Sequence, residues 1–290
     1  MTLEIVDAHH HLWDLRQHPQ TWINPATEAA INRNFVVEDL KAAITPVEVI
    51  GTVVVQSIAD ADETTHLLER AADSNGLIAG VVGWADLTSS DLDERVSEWL
   101  ERPDADRLVG FRHLVQSEQD DEWLLREDVR RGLAVVTRHG LTYDLLVKMP
   151  QLPAAVEIVR RCPETRFVLN HLAKPLFRTG DLDEWERLIR ELAASPNVCA
   201  KVSGLVTEAT SGEWTVDTFQ RAVDVALEAF GADRLMFGSD WPVCLLEADY
   251  AAVVELADRL LAGQVTDAEC RKIFVDNAVE FYGLRLRGAS

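Results

Sequence analysis

The most constraining feature of the chain is a run of three histidines that directly follows a short apolar segment. Residues 5–11 read Ile-Val-Asp-Ala-His-His-His, and this composition predicts a strand that ends in the histidines. Because successive side chains of a strand point to opposite faces, His9 and His11 share one face and His10 lies on the other. Two imidazoles about 6–7 Å apart on one strand face can hold one metal ion between them. The run therefore predicts a functional site at the end of the first strand.

Short β-branched segments alternate with amphipathic helical segments along the 290 residues. Strands are predicted at Ile5–His11, Thr52–Ser57, Ile78–Trp84, Val109–Leu114, Leu141–Val147, Phe167–Leu172, Val198–Leu205 and Leu235–Asp240. Helices are predicted at Val37–Ile44, Asp62–Ser74, Leu92–Glu101, Glu127–His139, Pro153–Arg161, Leu182–Ala194, Val216–Phe230, Tyr250–Leu261, Asp267–Phe274 and Val275–Tyr282. Strands that are almost continuously apolar and are separated by helices are typical of a parallel sheet buried on both faces.

This alternation predicts an α/β protein, a single (β/α)8 TIM barrel domain over 1–290, with room for some distortion. A doubly wound open sheet is the alternative, and the absence of a GxGxxG turn after the first strand weakens its dinucleotide-binding form. The stretch from Leu12 to Phe35 is expected to be a long first βα loop over the barrel mouth.

Composition limits the kinds of partner that the protein can bind and the cellular compartment in which it is expected. The formal net charge of −21 predicts repulsion of nucleic acid and of anionic membranes. The sequence shows neither a membrane-spanning apolar run nor a signal peptide, and its four cysteines form no CxxC pair, so we expect a cytoplasmic protein with reduced thiols. The expected partner is a small-molecule substrate, and a homodimer stays open.

Polar residues concentrate at the predicted strand ends, where the active site of a TIM barrel lies. His9, His11, His171 and Asp240 are the candidate metal ligands, because neutral imidazoles with one carboxylate suit zinc or a similar divalent ion. Asp240 and His171 are the candidate catalytic residues, and Asp240 could take a proton from water as a general base. The candidate substrate-binding residues are Gln56, Trp84, Arg112, His113, Tyr143, Asp144, Lys201 and Trp241.

Four segments together resemble the amidohydrolase superfamily. They are Val6-Asp-Ala-His-His-His-Leu-Trp13, Val168-Leu-Asn-His-Leu-Ala-Lys-Pro175, Lys201-Val-Ser-Gly-Leu205 and Phe237-Gly-Ser-Asp-Trp-Pro242. More narrowly they resemble the amidohydrolase 2 branch, which contains sugar lactonases and the 2-pyrone-4,6-dicarboxylate lactonase. The resemblance places the family's metal ligands on His9, His11, His171 and Asp240, with the aspartate also as base. It implies one divalent metal, zinc first, or no metal at all, since some members of the branch hydrolyse lactones without one.

Within that branch, Thr52-Val-Val-Val-Gln56, Val82-Gly-Trp-Ala-Asp86 and Gly110-Phe-Arg-His113 are most similar to the L-fucono- and L-rhamnono-lactone hydrolases. We therefore expect a carbohydrate-metabolising hydrolase that opens such a lactone to its aldonic acid. Asp240 would activate water, and the histidines would polarise the carbonyl directly or through a metal. The alternatives are a lactone isomerase, a metal-dependent non-oxidative decarboxylase of the same superfamily, and a sugar-acid binder without turnover. The complete set of histidines and aspartate argues against the binder.

Overall fold

The computed structural model describes residues 3–287 and contains one eight-stranded parallel sheet with the strands in chain order. The strands are β1 (Glu4–His10), β2 (Glu48–Val55), β3 (Ile78–Gly83), β4 (Leu108–His113), β5 (Thr142–Leu145), β6 (Arg166–Leu169), β7 (Val198–Val202) and β8 (Leu235–Phe237). A parallel bridge between His10 and Trp241 joins the two edges of the sheet, so the sheet closes into a (β/α)8 barrel. The predicted fold is confirmed, and the open doubly wound alternative is excluded.

The helices are α1 (Val37–Ala43), α2 (Ala61–Asp73), α3 (Leu92–Leu100), α4 (Glu127–Arg138), α5 (Leu152–Arg161), α6 (Asp183–Ala193), α7 (Val216–Phe230), α8 (Tyr250–Leu261), α9 (Asp267–Arg271) and α10 (Asn277–Tyr282). Each predicted helix is present, and a π-helical segment, Lys272–Asp276, lies between α9 and α10. The helices pack through one apolar stripe. In α6, for example, Trp185, Leu188, Ile189 and Leu192 are at most 3% exposed, and their spacing places them on one face.

The sixth strand departs from its predicted range. The apolar run through Leu172 predicts a longer strand, but β6 ends at Leu169. Residues 171–174 instead have φ between 48° and 58°, in the left-handed region that non-glycine residues rarely adopt. This turn is encoded by no glycine, which is why the hydrophobic pattern cannot reveal it.

The ends of β1 and β8 are held together by backbone and side-chain hydrogen bonds. Asp240 N donates to the His9 carbonyl at 2.8 Å, next to the bridge that closes the barrel. The buried Asp7 carboxylate accepts hydrogen bonds from Ser239 N at 2.9 Å, from the Ser239 hydroxyl at 2.6 Å and from the Tyr250 hydroxyl at 3.0 Å. Burial raises the pKa of Asp7 to about 6 against the opposing effect of these donors. The seam therefore fixes the strand that carries the histidines against the segment that carries Asp240.

The long first βα loop returns to its starting point above the barrel mouth. Trp13 and Phe35 exchange two backbone hydrogen bonds, of 3.0 and 2.9 Å, and so close the loop at its base. Trp22, near the middle of this loop, is 41% exposed. Over the described range 3–287, we find no helix with the length and apolar character needed to cross a membrane.

Candidate active site

Asp240 lies at the centre of a cluster formed by the predicted histidines. Its Oδ1 is 3.4 Å from Nε2 of His11, 3.7 Å from Nε2 of His9 and 3.9 Å from Nε2 of His171. Asp240 has a φ of 57°, which lies in the left-handed region and turns the chain directly after β8. The cluster thus brings together residues from the carboxyl ends of β1, β6 and β8, as the strand-end argument predicted.

The imidazoles of His11 and His171 are each held by a hydrogen bond at Nδ1, the ring nitrogen that does not face Asp240. The Nδ1 atom of His11 donates to the Val55 carbonyl at 2.8 Å, since a carbonyl can only accept. The Nδ1 atom of His171 is 2.8 Å from the Ser203 hydroxyl oxygen. Burial lowers the pKa of His11 below its ordinary value, against the opposing effect of the Asp240 carboxylate, and lowers that of His171 to about 3, so the His171 ring is neutral near pH 7.

Asp240 keeps its charge despite its burial. Burial raises the pKa of its carboxyl, but the opposing effects of His171, His11 and the Lys174 ammonium outweigh it and leave the pKa below the ordinary value. A carboxylate that is ionised and only 5% exposed can accept a proton from a molecule in the adjoining cavity.

A buried network of charged side chains contacts Nδ1 of His9. Lys201 Nζ lies 2.6 Å from Asp144 Oδ2 and 3.3 Å from His9 Nδ1. The Tyr282 hydroxyl donates to the same Asp144 carboxylate at 2.9 Å. Burial lowers the pKa of Lys201, and the adjacent Asp144 carboxylate opposes that effect. Lys201 and Asp144 are fully buried, so they do not contact a substrate as predicted. They instead stabilise the position of His9 in the cluster.

Arg112 approaches His9 from the other side. Its Nη1 atom is 3.2 Å from His9 Nε2 and 3.1 Å from Asn170 Oδ1, and its Nη2 atom donates to the Gln56 carbonyl. Arg112 also lines the cavity beside Asp240, so it is the one predicted substrate-binding residue that the structure places there. Its guanidinium brings a permanent positive charge to the cluster.

Part of the cluster has the spacing that a divalent ion needs. One atom each from His9, His11 and Asp240 lie within 4.8 Å of one another, which is close enough for a common metal. However, a guanidinium always donates, so the lone pair of His9 Nε2 is already engaged by Arg112. Lys201 also faces His9 Nδ1, where a metal-bound imidazole normally needs an acceptor. A neutral imidazole has only one lone pair, so Nδ1 of His9 then carries the hydrogen, and a metal ion at Nε2 would have to displace Arg112.

The other predicted substrate-binding residues lie behind the cavity wall or beside it. Gln56 and Tyr143 are fully buried, and the Gln56 amide donates to the Arg112 carbonyl at 3.0 Å. Trp241 is 2% exposed and packs edge-on against Phe35, so its indole presents no free face to a ligand.

Trp84 and His113 contact each other outside the cavity. The Trp84 indole donates to His113 Nδ1 at 3.0 Å, and His113 Nε2 is 2.7 Å from Glu118 Oε1. His113 also stacks on Trp123 with the ring centroids 4.3 Å apart. These bonds satisfy both ring nitrogens of His113, which gives it a structural role.

The cavity beside Asp240 has a volume of about 340 Å³, which suits a small metabolite. His11, His171, Arg112 and Asp240 contribute to one part of its wall. Loop residues that sequence reasoning did not single out line the rest, among them Trp22, Glu28, Gln116, Lys148, Lys174 and Glu208. Lys174 lies three residues after His171 within the resembling segment, and this proximity was the one available signal. The other residues named here lie in loops, whose sequences show no periodic pattern that could indicate them.

Several known proteins are similar to this chain over nearly its whole length. Curated relatives include an L-fucono-1,5-lactonase of Burkholderia multivorans, 37% identical over 96% of both chains. A second, from Burkholderia ambifaria, is 36% identical over 96% of this chain and 94% of the relative. A crystal structure of an amidohydrolase from Burkholderia multivorans with bound zinc superimposes with a TM-score of 0.91, at 37% identity, over 98% of this chain and all of that chain.

The family comparison covers nearly the whole barrel. The amidohydrolase family model matches residues 6–284, which include both the histidine pair of β1 and Asp240 after β8. The resemblance inferred from four short segments is thereby confirmed over most of the chain. We conclude that this chain belongs to the amidohydrolase family.

Proposed function

We propose that the protein hydrolyses the lactone of a sugar acid, with an L-fucono-1,5-lactone as the first substrate to test. The observation that carries the proposal is the ionised Asp240 carboxylate, which lies in the cavity wall among the histidine rings. Two curated relatives with this activity by name, each at least 36% identical to the chain over most of its length, support the choice of substrate.

In the proposed reaction, Asp240 takes a proton from water while the water oxygen bonds to the lactone carbonyl carbon. Negative charge then develops on the carbonyl oxygen, and the positive charge of Arg112 stabilises it electrostatically. His171 Nε2 can donate to the same oxygen when the Ser203 hydroxyl donates to Nδ1. The bond from carbonyl carbon to ring oxygen breaks, and Asp240 returns its proton to the ring oxygen, which becomes the free hydroxyl of the aldonic acid.

We propose that catalysis does not require a metal, because Arg112 already engages the lone pair of His9 Nε2, the atom that would bind the ion. A divalent ion held elsewhere in the cluster would supply a Lewis acid for the carbonyl oxygen. Elemental analysis and assays in a strong chelator test this point. Full activity with less than a tenth of an equivalent of metal, about the limit of adventitious binding, supports the proposal. Loss of activity in chelator and its return with zinc would refute it.

The lactonase activity is tested by release of one proton per turnover in weakly buffered solution with a pH indicator. Wild-type protein should open sugar lactones faster than their spontaneous hydrolysis. Asp240→Asn removes the base but keeps the shape, and should lower kcat by about 10²–10⁴ with unchanged thermal unfolding. Unchanged kcat in Asp240→Asn would exclude the assigned base. Release of CO₂ from an aromatic acid, with no activity on lactones, would favour a decarboxylase instead.

A further inference from the structure

An ion pair lies in the wall of the catalytic cavity, and the reaction described above assigns neither partner a contact with the lactone. Lys174 Nζ lies 2.8 Å from Glu208 Oε1, and the two side chains are 18% and 24% exposed. Both residues line the cavity that contains Asp240 and His171. They also line a neighbouring cavity of about 320 Å³, so the pair forms a wall that the two spaces share. A ligand beside Asp240 therefore has this pair within its surroundings.

The backbone fixes the pair relative to the catalytic cluster. Lys174 N donates to the His171 carbonyl at 2.8 Å within the left-handed turn of residues 171–174. Glu208 ends a short 3-10 helix, Val206–Glu208, and its N donates to the Leu205 carbonyl at 3.1 Å. That helix begins just after Gly204, where an added Cβ would meet His171 and Asp240. Groups held this way keep their positions with little loss of entropy when a ligand binds.

The pair has hydrogen-bonding capacity to spare. An ammonium carries three donor hydrogens, and a carboxylate offers about four acceptor sites. Among residues 3–287, the Lys174 ammonium donates to Glu208 alone, and the Glu208 carboxylate accepts from Lys174 alone. A hydroxyl group can use both partners at once, because it accepts from the ammonium and donates to the carboxylate, and hydroxyls are the polar substituents of a sugar lactone. An anionic substituent would instead meet repulsion from Glu208.

We propose that the Lys174–Glu208 pair is the specificity element of the cavity and recognises one ring hydroxyl of the lactone. The inference rests on the proposed lactonase function and names the residues that select its substrate. A hydrogen bond to a charged group contributes about 1.5–3 kcal/mol, so loss of either partner should lower kcat/KM by about 10- to 100-fold for a lactone that carries this hydroxyl.

The experiment compares wild type with Glu208→Gln and Lys174→Met, on a parent sugar lactone and on analogues that each lack one hydroxyl. Glu208→Gln is isosteric and carries the test. Lys174→Met keeps most of the side-chain length, but it also removes an ammonium that lowers the pKa of Asp240, so its effect is read as the difference between the parent and the analogues. Lys272→Met is the matched control, because Lys272 forms an exposed ion pair with Asp233 on the outer surface. Thermal unfolding is recorded for every variant.

Glu208→Gln should lose kcat/KM on the parent and on all analogues except one. For that analogue, which already lacks the recognised hydroxyl, Glu208→Gln should equal wild type, Lys174→Met should lose less than on the parent, and the control should match wild type throughout. An equal loss on every lactone, or no loss, would overturn the inference while leaving the lactonase function intact. Absence of wild-type activity on any lactone would refute the proposed function and this inference with it.

Discussion

A single methyl group at residue 204 should inactivate the site without unfolding the barrel. Gly204 has a φ of 61°, and a Cβ atom there would lie 2.5 Å from His171 Nδ1 and 3.0 Å from Asp240 Oδ2. Ordinary contacts begin near 3.4 Å, so in Gly204→Ala the imidazole must move by roughly 1 Å, a displacement that can cost about 10²-fold in rate. The same movement breaks the hydrogen bond between His171 and Ser203.

The substitution at residue 204 has two effects, the strain of an alanine at positive φ and the steric clash of its Cβ. A second glycine allows these two effects to be measured separately. An alanine forced into the left-handed region costs roughly 1–2 kcal/mol wherever it occurs. Gly263, which follows α8, has a φ of 76°, and no described heavy atom lies within 4 Å of a Cβ built there. Gly263→Ala therefore carries the backbone cost alone.

The assay pairs urea unfolding with proton-release kinetics on the same preparations. Both variants should lose a similar amount of stability to the positive φ, and Gly204→Ala should show in addition a kcat about 10²-fold below that of Gly263→Ala. Equal kcat values in the two variants would refute the placement of His171 and Asp240 against residue 204.

Three further predictions concern buried polar groups. Burial raises the pKa of Glu63 to about 7 in the folded state. The free energy of unfolding should therefore fall as pH rises from about 4.5 to 7, by about 3 kcal/mol at most. In Glu63→Gln, the free energy of unfolding measured in urea should depend less on pH over this range. Lys201→Met leaves the buried Asp144 charge unpaired and should lower the free energy of unfolding by about 3–5 kcal/mol, whereas an unchanged value would contradict the ion pair. Tyr250→Phe removes one donor to Asp7 and should cost about 1 kcal/mol in the same assay.

The elements of the fold were predictable because they depend on local patterns. Apolar runs and helical stripes such as that of α6 are properties of neighbouring residues, and their alternation limits the topology to few choices. The central cluster was also predictable, since His9, His11, His171 and Asp240 all follow strands whose ends meet at one face of a barrel.

The lining of the cavity was not predictable in the same way. Strand position places a residue near the barrel mouth, but only the packed structure shows that Trp241 faces Phe35 and that Lys201 is fully buried against Asp144. Lys174 reaches the cavity through a left-handed turn without glycine, which no propensity would suggest. Glu208 belongs to a loop whose course depends on contacts distant in sequence.

The seam between β1 and β8 makes activity a reporter of complete folding. During synthesis β1 emerges first and β8 last among the strands. His9 and His11 can therefore contact Asp240 only after nearly the whole barrel has been synthesised. The hydrogen bonds from Asp240 to His9 and from Ser239 to Asp7 form only at that moment. A partly folded or truncated barrel that lacks this closure has no assembled cluster, and turnover during refolding should therefore appear only when β1 and the segment after β8 have paired.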